Sequence, residues 1–510
     1  MEGLKKKRNV GSGGYDGGGA DGVVGGGGDG AAGSTPGGAH TAPLLTMVPN
    51  DVTLENLGEF VRAANSEDPV AQFEGTKQIR RLLSKESDPP VVPVLHSGVV
   101  PRLAEFLGRL DNTNLQFEAA WALTNIASTE YTHVVVELGI TPLLIRLLRS
   151  SNPDVREQCC WCLGNIAGDG YRFRDMVLEM PGAIENLVLN IAHPSSLSML
   201  RNATWTLSNY CRGKPQPKIE TTRQILPVLV HLLQSTDTEV LTDTCWALSY
   251  LSDGDDERIQ TVVDAMAVPR LVTLMSHEST SVVNPALRAV GNIVTGNDLQ
   301  TQAVIDSGAL HAFVPLMQCS KRNIRKEACW AVSNVAAGLK EQVTALTKVV
   351  DLVSTVIHLL DKGEWKVKKE AAWAVSNMTI TGGEEHIRVL VEAGCIPPLV
   401  DLLSVADNKI CLVAMDALEA ILKCDPAYAD MVEENGGVAE LEKLHDHRNP
   451  DVYTKSAQII EKYFASDGVV TGEGVAPGVT QTGDGTNVFT FGGGTTDGGG
   501  GDSFTFGGGT

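Results

Sequence analysis

The 510-residue chain has no apolar run that reaches the ~20 residues a helix needs to cross a bilayer. Its N-terminus carries charge with no hydrophobic region behind it, so neither a signal peptide nor membrane insertion is expected. Positive charge is scarce as well: 41 Lys and Arg stand against 62 Asp and Glu, a formal net charge of −21. Nucleic acids and anionic membranes both need a basic footprint, which excludes them as expected partners and favours basic ones. Catalytic and metal signatures are missing too. There is no phosphate-binding loop, no metal-spaced His cluster and no nucleophile beside a suitable base; His386, next to Glu384 and Glu385, reads as an exposed helix start. The Cys159-Cys160-Trp161-Cys162 cluster has no second half at ligand spacing, so the ten cysteines read as reduced, buried thiols. No enzyme, cofactor or metal site is expected.

Glycine is abundant only at the ends. Of 53 glycines, 16 lie in residues 1–50 and 16 in 468–510. Such ends bury too little apolar surface to offset their ordering entropy. Three parts follow: a disordered Gly-rich N-terminus at 1–51 with a short basic segment, a folded body at 52–465, and a disordered Gly-rich tail at 466–510.

Within the body one theme recurs, an aromatic or basic residue four positions before a polar one. It appears as Trp121/Asn125, Trp161/Asn165, Trp205/Asn209, Trp246/Tyr250, Arg288/Asn292, Trp330/Asn334 and Trp373/Asn377, with leading residues 40, 44, 41, 42, 42 and 43 apart. A period near 42 marks stacked helical units. A second mark shares the register: Gly98, Gly139, Gly182, Gly308, Gly394 and Gly436 each precede an amphipathic helix, several with Pro in its first turn. Such a glycine can end one helix at positive φ, and Pro there loses no needed donor. Each unit therefore reads as a short helix, a sharp turn, a second helix, a loop and a third helix with the Trp/Asn pair. This is the armadillo repeat, and the expected fold is an all-α, right-handed superhelical solenoid of about ten. The units near 66–108 and 392–464 lack the pair and read as caps.

On a helix, i and i+4 share a face, so stacking aligns tryptophans beside asparagines along one surface. Parallel indoles can take the stem of a lysine and attract its ammonium by ~0.5–2 kcal/mol. Asn offers a donor and an acceptor to a peptide main chain whatever its sequence. A single periodic Trp is ordinarily core, and a single mid-helix Asn ordinarily serves a neighbour. Five pairs in one register favour the groove, because helix interiors gain nothing from a repeated Asn. Asp169, four beyond Asn165, is the candidate lysine partner, with a plain loop former as the alternative. Arg212 reads as steering side-chain choice or pairing with a nearby acid.

Segments such as Trp121-Ala-Leu-Thr-Asn125-Ile-Ala-Ser128, Trp161-Cys-Leu-Gly-Asn165-Ile-Ala-Gly-Asp169 and Pro285-Ala-Leu-Arg288-Ala-Val-Gly-Asn292 resemble the importin-alpha family over about 52–464. The resemblance implies a nuclear import adaptor that shuttles between cytoplasm and nucleus and binds mono- and bipartite basic nuclear localisation signals. It implies a major cargo site of Trp121, Asn125, Ser128, Thr132, Gln158, Trp161, Asn165, Asp169, Trp205, Asn209, Glu239, Asp243 and Tyr250. A minor site would hold Arg288, Asn292, Val294, Thr301, Trp330, Asn334, Glu370, Trp373 and Asn377.

Three features depart from the family pattern. Leu4-Lys5-Lys6-Lys7-Arg8-Asn9-Val10 resembles only the end of its importin-beta-binding helix, so that region is expected to be incomplete or unusual. The loop after Ser128 is about two residues short and lacks a usual glycine. In place of an acidic tail stand Phe489-Thr-Phe491-Gly492 and Phe504-Thr-Phe506-Gly507, a motif of the pore proteins that transport receptors touch. Residues 433–464 resemble the tenth repeat, which implies contact with the export receptor and Ran-GTP. The rival readings are an armadillo scaffold outside nuclear transport, which the acidic rim opposes, and an enzyme.

Overall fold

The computed structural model describes residues 48–85, 88–465, 478–481 and 487–490. Ten long helices recur at the repeat period. They are α1 (Pro69–Leu83), α2 (Thr113–Ala127), α3 (Pro153–Gly168), α4 (Leu197–Cys211) and α5 (Thr238–Ser252), followed by α6 (Thr280–Ile293), α7 (Arg322–Ala336), α8 (Trp365–Thr381), α9 (Asn408–Cys424) and α10 (Pro450–Tyr463). Each is the last helix of its unit, and consecutive ones lie side by side. One apolar core runs through the stack from Leu57 to Ile459, which is the all-helical solenoid of about ten repeats expected from the period.

The breaks form as their residues dictate. At the start of α3, the Asn152 side chain accepts from the Asp154 backbone N–H at 2.8 Å, with Pro153 in the first turn. Asn449 and Pro450 do the same for α10, the bond to Asp451 N–H measuring 2.9 Å. All six predicted corner glycines adopt φ between +68° and +86°. Where a unit lacks the glycine, Met266 and Asp351 take its place at φ 61° and 63°, a conformation that L residues adopt at a cost.

Two features differ from the sequence reading. The fifth unit has no corner: Ile219–Leu232 is one continuous helix containing Pro227, preceded by a loop that the buried Arg174 holds through the carbonyls of Arg212, Gly213 and Pro215. His386 starts its helix but is 2% exposed; its Nδ1 accepts from Gly383 N–H and its Nε2 meets Thr344 Oγ1, both at 2.9 Å. The imidazole thus closes the gap between two units, and burial lowers its pKa. Beyond the stack, β1 (Gly478–Gln481) pairs antiparallel with β2 (Asn487–Thr490). The basic cluster Lys5–Arg8 and the second Phe-Thr-Phe-Gly motif lie outside the described residues.

All ten cysteines are free thiols, and burial pushes Cys160 and Cys162 up to about 12. Those two are packing residues, poorly disposed to react. Among the described residues no helix is long and apolar enough to cross a membrane, and no His/Cys/Asp/Glu group could hold a metal.

Candidate peptide-binding groove

The tryptophans are seated by glycines one helix earlier. A Cβ on Gly164 would come within 2.3 Å of Cζ3 of Trp205, and one on Gly291 within 2.4 Å of Cζ3 of Trp330. Each indole therefore lies against bare backbone of the preceding helix, and this close approach explains the Gly-Asn pairs at 164–165 and 291–292. The asparagines brace the same joints. Nδ2 of Asn165 donates to Thr124 O at 3.1 Å, Asn209 to Gly164 O at 3.1 Å, Asn292 to Ser249 O at 2.8 Å and Asn377 to Ser333 O at 2.8 Å. The accepting carbonyl belongs each time to the residue just before the ladder position of the previous helix. One N–H of each amide is thus committed to the stack, and Nδ2 of Asn292 also reaches Ser252 Oγ at 3.4 Å. Asn125 instead donates to Ser84 Oγ at 2.9 Å.

Ser128, Thr132, Asn165, Asp169, Trp205 and Asn209 line one open cavity of about 360 Å³ between α2, α3 and α4. Glu130 and Arg212 complete its rim. Thr132 is 1% exposed and its hydroxyl donates to backbone carbonyls of Ala127 and Thr129, so the loop after Ser128 anchors this residue. Asp169 caps the C-terminal end of α3, exposed, with no ion-pair partner among the described residues. A carboxylate at the negative end of a helix dipole is misplaced by ~0.3–1 kcal/mol, a penalty that an incoming cation relieves. Trp161 is 40% exposed, Trp121 and Trp205 partly so.

The other members of the first set differ in state. Glu239 is already paired with Arg201 at 2.6 Å, and the same guanidinium binds Asp237. Asp243 is pushed up to about 7, by burial first and by the Glu239 charge second. Tyr250 stacks on Trp246, ring centroids 6.0 Å apart and 22° from parallel. Gln158 is 6% exposed.

The second set lies on α6, α7 and α8, with Val294 at the end of α6 and Thr301 on the following helix (Asp298–Asp306), and most of it is buried. Trp330, Asn334, Asn377, Val294 and Thr301 are 0% exposed, Trp373 2% and Asn292 3%, whereas Glu370 is half-buried. The Arg288 guanidinium lies 5.2 Å from the Trp330 ring centroid and Lys409 Nζ 5.4 Å from that of Trp373. Open slots were expected here; these indoles already carry cations of the chain itself. The residues that sequence reading missed are Arg80, Glu118, Glu130 and Glu327. Arg80 had a signal, since it stands 41 residues before Trp121, at the ladder position of the first unit.

A solenoid that presents a braced Trp/Asn ladder beside the exposed carboxylate of Asp169 belongs to the class of armadillo-repeat peptide binders. Residues 87–128, 128–168, 214–253, 255–295, 297–337 and 383–419 match the armadillo/beta-catenin-like repeat, and 426–478 the atypical Arm repeat. The chain is 49% identical over 428 residues to importin subunit alpha-2 of Arabidopsis thaliana, covering 81% of this chain and 80% of the relative. It is 45% identical over 427 residues to importin subunit alpha-1b of Oryza sativa subsp. japonica, with coverages of 81% and 80%. An engineered protein of known crystal structure superimposes with a TM-score of 0.73 at 29% identity, over 80% of this chain and 99% of its own. The chain belongs to the importin-alpha family, the adaptors of nuclear import.

Proposed function

We propose that the chain binds proteins bearing Lys/Arg-rich nuclear localisation signals in the groove of its last helices and links them to the import machinery. The observation that carries this reading is the cavity that joins Asp169 to Ser128, Thr132, Asn165, Trp205 and Asn209. A lysine entering it lays its methylenes along indole, its ammonium meets an otherwise unpaired carboxylate, and amide groups are at hand for its main chain. The major site is the ladder from Trp121 to Tyr250 and the minor site that from Arg288 to Asn377, so a two-cluster signal engages both. Importin-beta binding is assigned to the basic segment at 5–8, contact with the export receptor and Ran-GTP to the last repeats through α10, and contact with Phe-Gly nucleoporins to the tail. Shuttling between cytoplasm and nucleus follows from these roles, without enzymatic chemistry. A peptide scaffold outside nuclear transport would share the groove but gain nothing from an acidic rim. Titration with a fluorescent basic signal peptide and its lysine-to-alanine control tests the reading: micromolar or tighter binding that the control loses supports it, and equal binding of both removes it.

A further inference from the structure

The ladder position is interrupted twice by arginine, and the two interruptions are built alike. Arg80 Nε lies 2.7 Å from Glu118 Oε2 and its Nη2 3.2 Å from Oε1, while its guanidinium carbon sits 4.3 Å from the centroid of Trp121. Arg288 Nη2 lies 2.6 Å from Glu327 Oε1, and its guanidinium is 5.2 Å from the centroid of Trp330. In both cases the arginine is one repeat before the tryptophan, and the glutamate three residues before it. Both pairs are sheltered, with side chains 15% and 8% exposed in the first and 13% and 4% in the second. A triad of Arg, Glu and Trp thus opens each run of tryptophans.

We infer that Arg80 and Arg288 are stops that fill the lysine slot at the N-terminal end of each run of tryptophans, bounding the cargo's basic cluster on that side and limiting how many basic residues it can use. The slot next to an indole needs a bare ring face and a carboxylate to select a cation. At these two places both requirements are met by the chain itself: the guanidinium covers the ring, and its charge-assisted bonds neutralise the glutamate. A cargo lysine arriving there would have to displace a planar, weakly hydrated cation from a sheltered ion pair, which is bidentate at Glu118. At Trp161 and Trp205 the equivalent places hold Gln158 and Asn202 with no such arginine, and those rings stay accessible. The inference rests on the groove reading above and adds the boundaries of its two sites.

The test uses the full chain and two peptides, a single four-residue basic cluster and the same cluster lengthened by one lysine at each end. In the wild type the lengthened peptide should gain little, within about twofold. Arg80→Ala bares Trp121 and leaves Glu118 uncompensated, so the lengthened peptide should gain at least about fivefold over the short one. The double variant Arg80→Ala/Glu118→Gln should lose that gain. Arg80→Gln frees the same carboxylate and covers the case in which Arg80→Ala does not fold. A folded Arg80 variant that shows no extra gain, or a wild type that already shows it, overturns the inference while leaving the groove intact. A wild type that binds neither peptide overturns the groove reading, and the stops with it.

Discussion

The runs Trp121–Trp161–Trp205 and Trp330–Trp373 are written in the same code yet stand in different states. In the first, Trp161 is 40% exposed and Asp169 faces an open cavity. In the second, Trp330 and Trp373 are 0% and 2% exposed, and Glu327 is already held by Arg288 at 2.6 Å and Lys326 at 3.0 Å. A repeated motif therefore sets where a binding face lies, while charges on neighbouring helices decide whether it is ready. At Trp161 and Trp205 the first run can take a cation directly; the second run, like Trp121 beneath Arg80, has to exchange one.

The sharpest way to break this contrast is to reverse the charge on which the first run depends. Asp169→Lys should weaken a single-cluster peptide by roughly ten- to a hundredfold, the worth of a lost charge-assisted bond of ~1.5–3 kcal/mol. Isothermal titration on a variant with unchanged helicity measures it, and unaltered affinity would take Asp169 out of the site.

The joint use of both runs depends on reach. From Trp205 to Trp330 there are three repeat steps at ~8–10 Å each, so the runs stand roughly 25–30 Å apart along the groove. An extended chain covers at most ~3.3–3.6 Å per residue, which needs about eight or nine linking residues. Two-cluster peptides with spacers of about ten residues should bind several-fold better than one cluster alone, and those with about four should not. Fluorescence anisotropy across a spacer series reads the threshold; a short spacer that performs as well would put the second run in the wrong place.

A smaller effect follows from Asp243. Its carboxyl, held up to about 7 chiefly by burial, is part neutral near neutrality, facing Glu239 on its own helix and Tyr250, with Arg212 nearby. Between the unfolded value near ~3.9 and the folded one, the native state keeps a proton that the unfolded chain sheds, so stability falls as pH rises through that window. Asp243→Asn should remove this fall, visible in melting curves from pH 5 to 8. Cargo lysines stay charged there, so wild-type affinity should rise about two- to fivefold from pH 6 to 8 as Asp243 ionises, and the variant's should not.

The smallest effect lies away from both runs. Met266 is 70% exposed at φ 61°, where its unit lacks the corner glycine. Met266→Gly should stabilise the fold by roughly 1 kcal/mol and leave peptide affinity alone. A drop in melting temperature would show that the corner depends on something besides backbone conformation.

Much of this was legible because a solenoid repeats its instructions. The ladder and the six glycines share one register, and both emerged where the period placed them. Asn165, Asp169, Trp205 and Asn209 were legible for the same reason, each standing at a fixed offset in the ladder, whereas Ser128 and Thr132 came from the family resemblance. What escaped was contact between units. Neither the brace from each asparagine to the previous helix nor the Arg288 and Arg80 stacks can be read from one repeat, because each depends on a side chain some forty residues away. His386 shows this in small: its neighbours in sequence are acidic and suggest exposure, while its partner Thr344 comes from the unit before. Ile219–Leu232 escaped because helix continuation across a missing corner leaves no residue to mark it.

The most direct test of the contrast between the runs is one single-cluster peptide titrated against two double variants, Trp161→Ala/Trp205→Ala and Trp330→Ala/Trp373→Ala. Each lost indole face removes up to ~2 kcal/mol from a lysine. Loss of at least about tenfold in the first variant and less than about threefold in the second is the predicted result. Equal losses, or a larger loss in the second, would contradict it.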